Sequence, residues 1–289
     1  MSKMAPTVYI NGRFVLEADA QLSPLDRGFT LSDGLFETMV ASGGRVFRLE
    51  DHLARLQRGA DALYIQLPPI EELVYAIRES LRHNGLRHSV VRLTVTRGID
   101  PGRGLNVTPG IAPSVVVRIV SWHGPLELLP QNRCVILSHI RRNDLSPLAG
   151  IKSLSYAEGV VTRLEAHQAG ADDALMCNTQ GVLTGATSSN VFAVMSGKLV
   201  TPPERDGILP GIARLTVLEG AGRLDGPIEE LSLTPASIAE AEEVFLTNVV
   251  TGIVPVVSLF GTPVGSGRPG PMTEQLARAY WDRVRAELS

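Results

Sequence analysis

The sequence predicts a two-domain α+β protein, and three observations carry that reading. Between residues 7 and 49, two strand–turn–strand patterns lead into two amphipathic helical stretches. At HGPLELLPQN, residues 123–132, the periodicity breaks into a Pro-rich polar segment that reads as an interdomain linker. After it, many short strand-like runs are separated by few helices, which argues for a mixed or antiparallel sheet rather than a doubly wound parallel one. The expected plan is therefore a small α+β N-terminal domain over 1–122, a linker over 123–132, and a larger C-terminal mixed-sheet domain over 133–289. A chain of 289 residues with 44% apolar and 20% charged side chains has material for both cores.

The elements follow in chain order. In TVYINGRFV, Asn11-Gly12 sits between two short β-type runs and predicts a tight type I′ hairpin. FETMVASGGRVFRL, from Phe36 to Leu49, repeats the pattern around Gly43-Gly44. EDHLARLQRGADALY puts Leu53, Leu56, Ala60 and Leu63 on one helical face, and PPIEELVYAIRESLRHNG opens with proline and closes at Gly85. SVVRLTVTRG and APSVVVRIVSW are strands. Beyond the linker, RCVILS is a strand and YAEGVVTRLEAHQAG a helix closed by Gly170. DALMC, GVL, VFAVM and KLVT are short strands, LPGIARLTVLEGA a helix, EVFLTN and IVPVVSLF strands, and TEQLARAYWDRVRAEL the last helix. There is no internal repeat and no low-complexity tract.

Several function classes are excluded at this level. A net charge of −3 with scattered arginines gives no nucleic-acid surface. Cys134 and Cys177 make neither a metal spacing nor a disulfide framework, in keeping with a reducing cytoplasm. MSKMAPTVYI lacks the apolar core of a signal peptide, and no apolar run reaches the ~18 residues of a membrane span. The six histidines are dispersed, so no metal site is expected, and there is neither a GxSxG elbow nor a Walker loop. GSGRPG, 265–270, matches GxGxxG, but the chain ends too soon after it for a dinucleotide-binding βαβ unit, so it is read as a loop.

What remains is a lysine and two turns. Lys3, Lys152 and Lys198 are the only lysines among 27 basic residues, which leaves 24 arginines. Lys152 lies in the apolar run SPLAGIKSLSY. An amine withdrawn from water can lose its proton near neutral pH and attack a carbonyl, which a guanidinium cannot do. GATSSN, 185–190, collects small and hydroxyl residues between two strands, and LPGIAR, 209–214, puts Gly211 at a helix N-terminus; both can offer backbone N–H groups to a phosphate. Each taken alone is equally ordinary turn chemistry. Together with Lys152 they point to a phosphorylated aldehyde.

With those residues in view, the chain resembles the fold type IV pyridoxal-phosphate enzymes, the class IV aminotransferase family, from about residue 7 to the end. The resemblance runs through DRGFTLSDGLFET (26–38), HLARL (52–56), TRG (96–98), GIKSLSY (150–156), the GATSSNVF run, LPGIAR and TNVVTGIVPV (247–256), in that order. It implies pyridoxal 5′-phosphate held covalently by Lys152, which also moves the reacting proton. It implies Arg55 on the cofactor phosphate, with backbone amides of Ile212 and Ala213 and of the turn at Asn248 and Val249 completing the phosphate cup. Ser188 would lie against the cofactor, Phe36 would line the substrate pocket, and Arg97 matches a position that takes a substrate carboxylate in D-amino-acid transaminases. The family commonly forms homodimers and acts on small amines. One departure is visible: the family pattern Glu-x-x-x-x-Asn, whose glutamate pairs with the pyridine nitrogen, places Gly185 five residues before Asn190.

Within the family, SPLAGIKSL, the asparagine of TNVV and the Arg97-Gly98 and Arg103-Gly104 pairs resemble 4-amino-4-deoxychorismate lyase, which forms 4-aminobenzoate and pyruvate. The lyase is the leading expectation. A transaminase acting on D-amino acids, branched-chain amino acids or amines is the alternative, and a weakly catalytic or non-catalytic cofactor-binding relative, suggested by Gly185, is a third.

Overall fold

The computed structural model describes residues 5–122, 131–221 and 228–289. The described chain divides into two compact units, each with its own sheet. Unit one holds residues 5–122 together with 151–155 and 287–289; unit two holds the rest. Eight of the ten residues of the expected linker, 123–130, lie outside the described residues.

Unit one is built on β1 (Thr7–Ile10), β2 (Arg13–Leu16), β3 (Gly34–Ser42), β4 (Arg45–Val46), β5 (His88–Thr96) and β6 (Ser114–Ser121). These form an antiparallel sheet in the order β2-β1-β6-β5-β3-β4. The β1–β2 turn has φ +46° at Asn11 and +89° at Gly12, the double left-handed conformation that an Asn-Gly hairpin favours. A short helix α1 (Arg27–Leu31), capped by the Asp26 carboxylate on Gly28 N–H at 2.7 Å, precedes β3. Two helices, α2 (Leu49–Ala62) and α3 (Ile70–Asn84), supply the apolar cover. Leu49, Leu53, Leu56 and Ala60 of α2 and Leu73, Ile77 and Leu81 of α3 pack with Leu35, Met39, Val91, Leu93 and Val117 of the sheet. Leu63, expected on the α2 stripe, falls just past the helix end and is only half-buried. Each fully buried Leu or Ile in this layer contributes about 1.5–3 kcal/mol of transfer free energy.

Unit two carries β7 (Arg133–Arg142), α4 (Ala157–Gln168), β8 (Asp173–Asn178), β9 (Leu183–Ala186), β10 (Asn190–Met195), β11 (Lys198–Thr201) and α5 (Ile212–Ala221). It continues with β12 (Ile228–Glu230), α6 (Pro235–Ala239), β13 (Glu243–Asn248), β14 (Gly252–Leu259), β15 (Thr262–Pro263) and α7 (Pro271–Leu288). The strand order is β12-β11-β10-β13-β14-β7-β8-β9, with β15 on β14. The sheet is mixed, as the sequence predicts: β14–β7, β7–β8 and β11–β12 are parallel and the other pairs antiparallel. GSGRPG is a loop leading into α7. No helix among the described residues is long and apolar enough to cross a membrane.

One boundary differs from expectation. The lysine segment is expected in the C-terminal domain, but residues 151–155 belong with unit one. The reason is backbone pairing: Phe36 N–H donates to the Lys152 carbonyl at 3.0 Å, Leu154 N–H donates to Gly34 O at 2.9 Å, and Leu35 bridges Ser153. The segment is stitched to the start of β3, whatever its position along the chain.

Candidate functional site

In unit one the residues of interest converge on β3. The alternation of β3 turns Phe36 to one face and Glu37 to the other. On the Phe36 face, Lys152 Nζ stands 4.4 Å from the ring centroid, and the Arg92 guanidinium, from the neighbouring β5, lies 3.9 Å from the same centroid. One aromatic ring thus meets both an amine and a guanidinium, each attracted by the ring's negative face. Phe36 is buried and Lys152 half-buried.

On the other face, Glu37 receives Arg55 of α2 as a fork: Nε to Oε1 at 2.8 Å and Nη2 to Oε2 at 2.6 Å. His52 Nδ1 contacts the same Oε2 at 2.7 Å. Glu37 and His52 are fully buried and Arg55 nearly so. Burial pushes the Glu37 carboxyl up, but the hydrogen bonds and charge of Arg55, with those of His52, outweigh it and hold the group at about 2. Burial lowers the His52 pKa, and its contact with Glu37 only partly restores it. HLAR therefore does more than present an arginine. Positions 52 and 55, three apart on α2, share one carboxylate, and Glu37 is a partner that sequence reasoning missed. Its signal is in the strand itself: an acid at the centre of an otherwise apolar run needs a buried cation.

Arg97 does not stand as expected. Its Nε and Nη2 clasp Asp33 at 2.6 and 3.0 Å, while Nη1 and Nη2 donate to the carbonyls of Tyr64 and Leu63 at 2.9 and 2.7 Å. Asp33 also accepts from Arg27 Nε at 2.9 Å. The guanidinium expected to receive a substrate carboxylate already holds an internal one, because TRG ends β5 beside the residue that opens the β3 turn.

In unit two three turns are tied by two asparagines. Asn190, at the start of β10, donates from Nδ2 to Leu209 O at 2.9 Å, and a side chain at Gly211 would put its Cβ 2.1 Å from Asn190 Oδ1. Gly211 is thus required for the close approach of the LPGIAR turn, and α5 then begins at Ile212, whose first-turn amides have no acceptor within the helix. Asn248, at the end of β13, accepts from Val250 N–H at 3.0 Å and Thr251 N–H at 2.9 Å through Oδ1. Its Nδ2 donates to Ser189 Oγ at 3.1 Å. Ile212, Ala213, Asn248 and Val249 are thus carried by turns that the small-residue segment 187–190 joins. Ser188 is exposed at the tip of that segment, and it is Ser189 that makes the contact. Gly185, by contrast, lies inside β9 rather than in the turn, opposite Met176 of β8, with φ +121°. A Cβ there would stand 2.6 Å from Ser189 O. Thr184 gives its hydroxyl to Met176 O at 3.1 Å.

Unit one thus seats an amine against β3, and unit two carries amide-bearing turns on a mixed sheet. The comparisons then name the family. The model of amino-transferase class IV matches residues 34–259, and the chain belongs to that family. It is 33% identical over 277 residues to a putative branched-chain-amino-acid aminotransferase of Methanocaldococcus jannaschii, with 95% of each chain covered. It is 30% identical over 284 residues to a D-alanine aminotransferase of Staphylococcus haemolyticus, covering 98% of this chain and 99% of that one. A solved branched-chain amino acid aminotransferase of T.th. with pyridoxamine 5′-phosphate superposes with a TM-score of 0.91 at 27% identity, over 98% of this chain and 95% of that one. These relatives bear the names of aminotransferases, so the leading expectation of a lyase gives way to the transaminase alternative.

Proposed function

We propose that this chain is a pyridoxal-phosphate-dependent aminotransferase that moves an amino group between an α-amino acid and a 2-oxo acid, with branched-chain amino acids as donors. The observation that carries the reading is the seat of Lys152, whose amine stands against the Phe36 ring on a backbone pinned to β3. The residues present suit the cofactor. Lys152 offers the nucleophilic nitrogen, the amides of Ile212, Ala213 and Val249 suit a phosphate, and Asn248 and Ser188 belong to the same turns, while Arg55, expected on the phosphate, has its fork on Glu37 and supports β3 from the other face. When bound, pyridoxal phosphate supplies an electron-accepting ring. With the cofactor held there, Nζ of Lys152 would take up the reacting proton as general base and give it back as general acid. Phe36 gives that nitrogen an apolar wall.

The choice of donor is supported by Arg97. Since its fork is held by Asp33, the carboxylate role expected of it with D-amino acids is not on offer, which favours a branched-chain donor over D-alanine. A homodimer is the assembly proposed. The test is the half-reaction: purified holoenzyme is mixed with L-leucine, L-valine, D-alanine or 4-amino-4-deoxychorismate, and the cofactor absorbance is followed. The reading expects conversion to the pyridoxamine form with L-leucine and L-valine. Conversion with D-alanine alone would reassign the donor, and 4-aminobenzoate release without conversion would return the lyase. A Lys152→Ala variant that still converts would refute the role of the lysine.

A further inference from the structure

Helix α4 is held to its sheet by polar ties more than by apolar packing. Of its twelve residues only Thr162 and Ala166 are buried. Glu165 accepts from the Ser138 hydroxyl of β7. Arg163 reaches further, to the start of β8 and to the turn between β9 and β10. Its Nη1 donates to Asp172 O at 2.9 Å and its Nη2 to Asp173 Oδ2 at 2.7 Å. Its Nε donates to Thr187 Oγ1 at 3.0 Å, and Nη2 donates to the same oxygen. Thr187 gives its own hydroxyl hydrogen to Asp173 Oδ1 at 2.7 Å. The one donor and two lone pairs of that hydroxyl are all committed. Asp173 and Thr187 are buried, and Arg163 supplies the cation beside the Asp173 carboxylate.

What this clamp fixes is the segment that organises the amide-bearing turns. Ala186 N–H donates to Ser189 O at 2.8 Å, which closes the turn around Thr187. Ser189 Oγ accepts from Asn248 Nδ2 at 3.1 Å, and Asn248 Oδ1 takes the amides of Val250 and Thr251. Asn190, next along the chain, holds Leu209 O at 2.9 Å on the approach to α5. Arg163, Asp173, Thr187, Ser189, Asn190 and Asn248 all belong to unit two.

We propose that Arg163 is a positioning residue for phosphate: by fixing Thr187 it sets the turn from which Ser189 and Asn190 hold the amides at 212–213 and 249–251 ready for the cofactor's phosphate. This rests on the aminotransferase reading above and deepens it. Arg163 acts through Thr187 and not on the ligand. A planar guanidinium suits the task because its fork spans acceptors in separate elements, which the single nitrogen of an ammonium does not.

The test compares the dissociation constants of pyridoxal phosphate and pyridoxal for the full-length protein freed of cofactor. The two ligands carry the same aldehyde, so their ratio reads the share of the phosphate. In Arg163→Met the preference for pyridoxal phosphate should fall about tenfold, with pyridoxal itself little affected. A residue that only stabilises the fold would lower the melting midpoint and leave the preference where it was. Combining Arg163→Met with Asn248→Ala should cost little more than either change alone, because both act on one set of turns. A wild-type preference in folded Arg163→Met, or fully additive losses in the double variant, would overturn the proposal. Should Arg163→Met fail to fold by circular dichroism, Arg163→Lys, which keeps a cation beside Asp173 without the fork, must show a reduced preference; an unreduced one overturns it. The two levels separate. A wild type that prefers pyridoxal phosphate, with an Arg163 variant that prefers it as strongly, sinks this inference alone. A wild type without that preference, or without borohydride fixation of the cofactor on Lys152, sinks the reading beneath it.

Discussion

At the scale of the residue, Gly185 shows how conformation can forbid a side chain where sequence comparison asks for one. Its φ of +121° is open to glycine and strained for any L side chain, and the nearest obstacle is backbone, Ser189 O, which cannot swing aside. Ala186 N–H donates to that same carbonyl at 2.8 Å, so the obstacle is itself held in place. Replacing the residue by glutamate would therefore not simply restore a carboxylate. Gly185→Ala is expected to lower unfolding stability by about 1–3 kcal/mol. Gly220→Ala, in helical backbone with open space around its Cβ, should be neutral or stabilising by up to ~1 kcal/mol. Urea midpoints of the two variants decide the matter, and equal effects would mean that β9 relaxes around a side chain at little cost.

At the scale of the element, the docking of α2 on β3 depends on the buried trio Glu37, Arg55 and His52. Truncating Glu37 to alanine leaves Arg55 buried without its fork, for a loss of about 3–5 kcal/mol. The pH dependence has a definite sign. Glu37 titrates at about 2 in the folded state against an ordinary 4.5, so its contribution is complete above 4.5 and is lost as the pH falls toward 2. His52 has a folded pKa below its ordinary 6.5, so the folded state also resists its protonation, and stability begins to fall as the pH drops below 6.5. Both effects act in the same direction. Denaturant midpoints measured from pH 7 down to pH 3 should fall steadily, and the fall should be shallower in a Glu37→Gln, His52→Gln double variant. An unchanged slope in that variant would place the acid sensitivity elsewhere.

At the scale of the whole molecule, what is legible in the sequence follows local rules. The Asn-Gly hairpin, the α2 stripe, the Gly85 stop and the mixed character of the second sheet come from periodicity and turn chemistry, which act within a few residues. What is not legible depends on pairing across the chain. The seat of Lys152 on β3, the capture of Arg97 by Asp33 and the Glu37 fork join positions 18 to over 100 residues apart, and no spacing encodes them. Short elements such as α1 and α6 escape notice because five residues give too little periodicity. The same long-range organisation governs the response to ligand. Asn248 and Asn190 hold the amide-bearing turns in place before any phosphate arrives, so phosphate binding should need little ordering. Pyridoxal phosphate at a hundredfold excess over its Kd should stabilise the cofactor-free protein by about 2.7 kcal/mol, raising the melting midpoint by roughly 5–10 °C. Pyridoxal, which lacks the phosphate, should give only a small part of that shift at the same concentration. In Asn248→Ala, whose loosened turn no longer presents its amides, the advantage of the phosphate over pyridoxal should shrink. Equal shifts with the two ligands in the wild-type protein would show that the turns at 211–213 and 248–251 bind no phosphate, and the assignment of Ile212, Ala213, Asn248 and Val249 would fall.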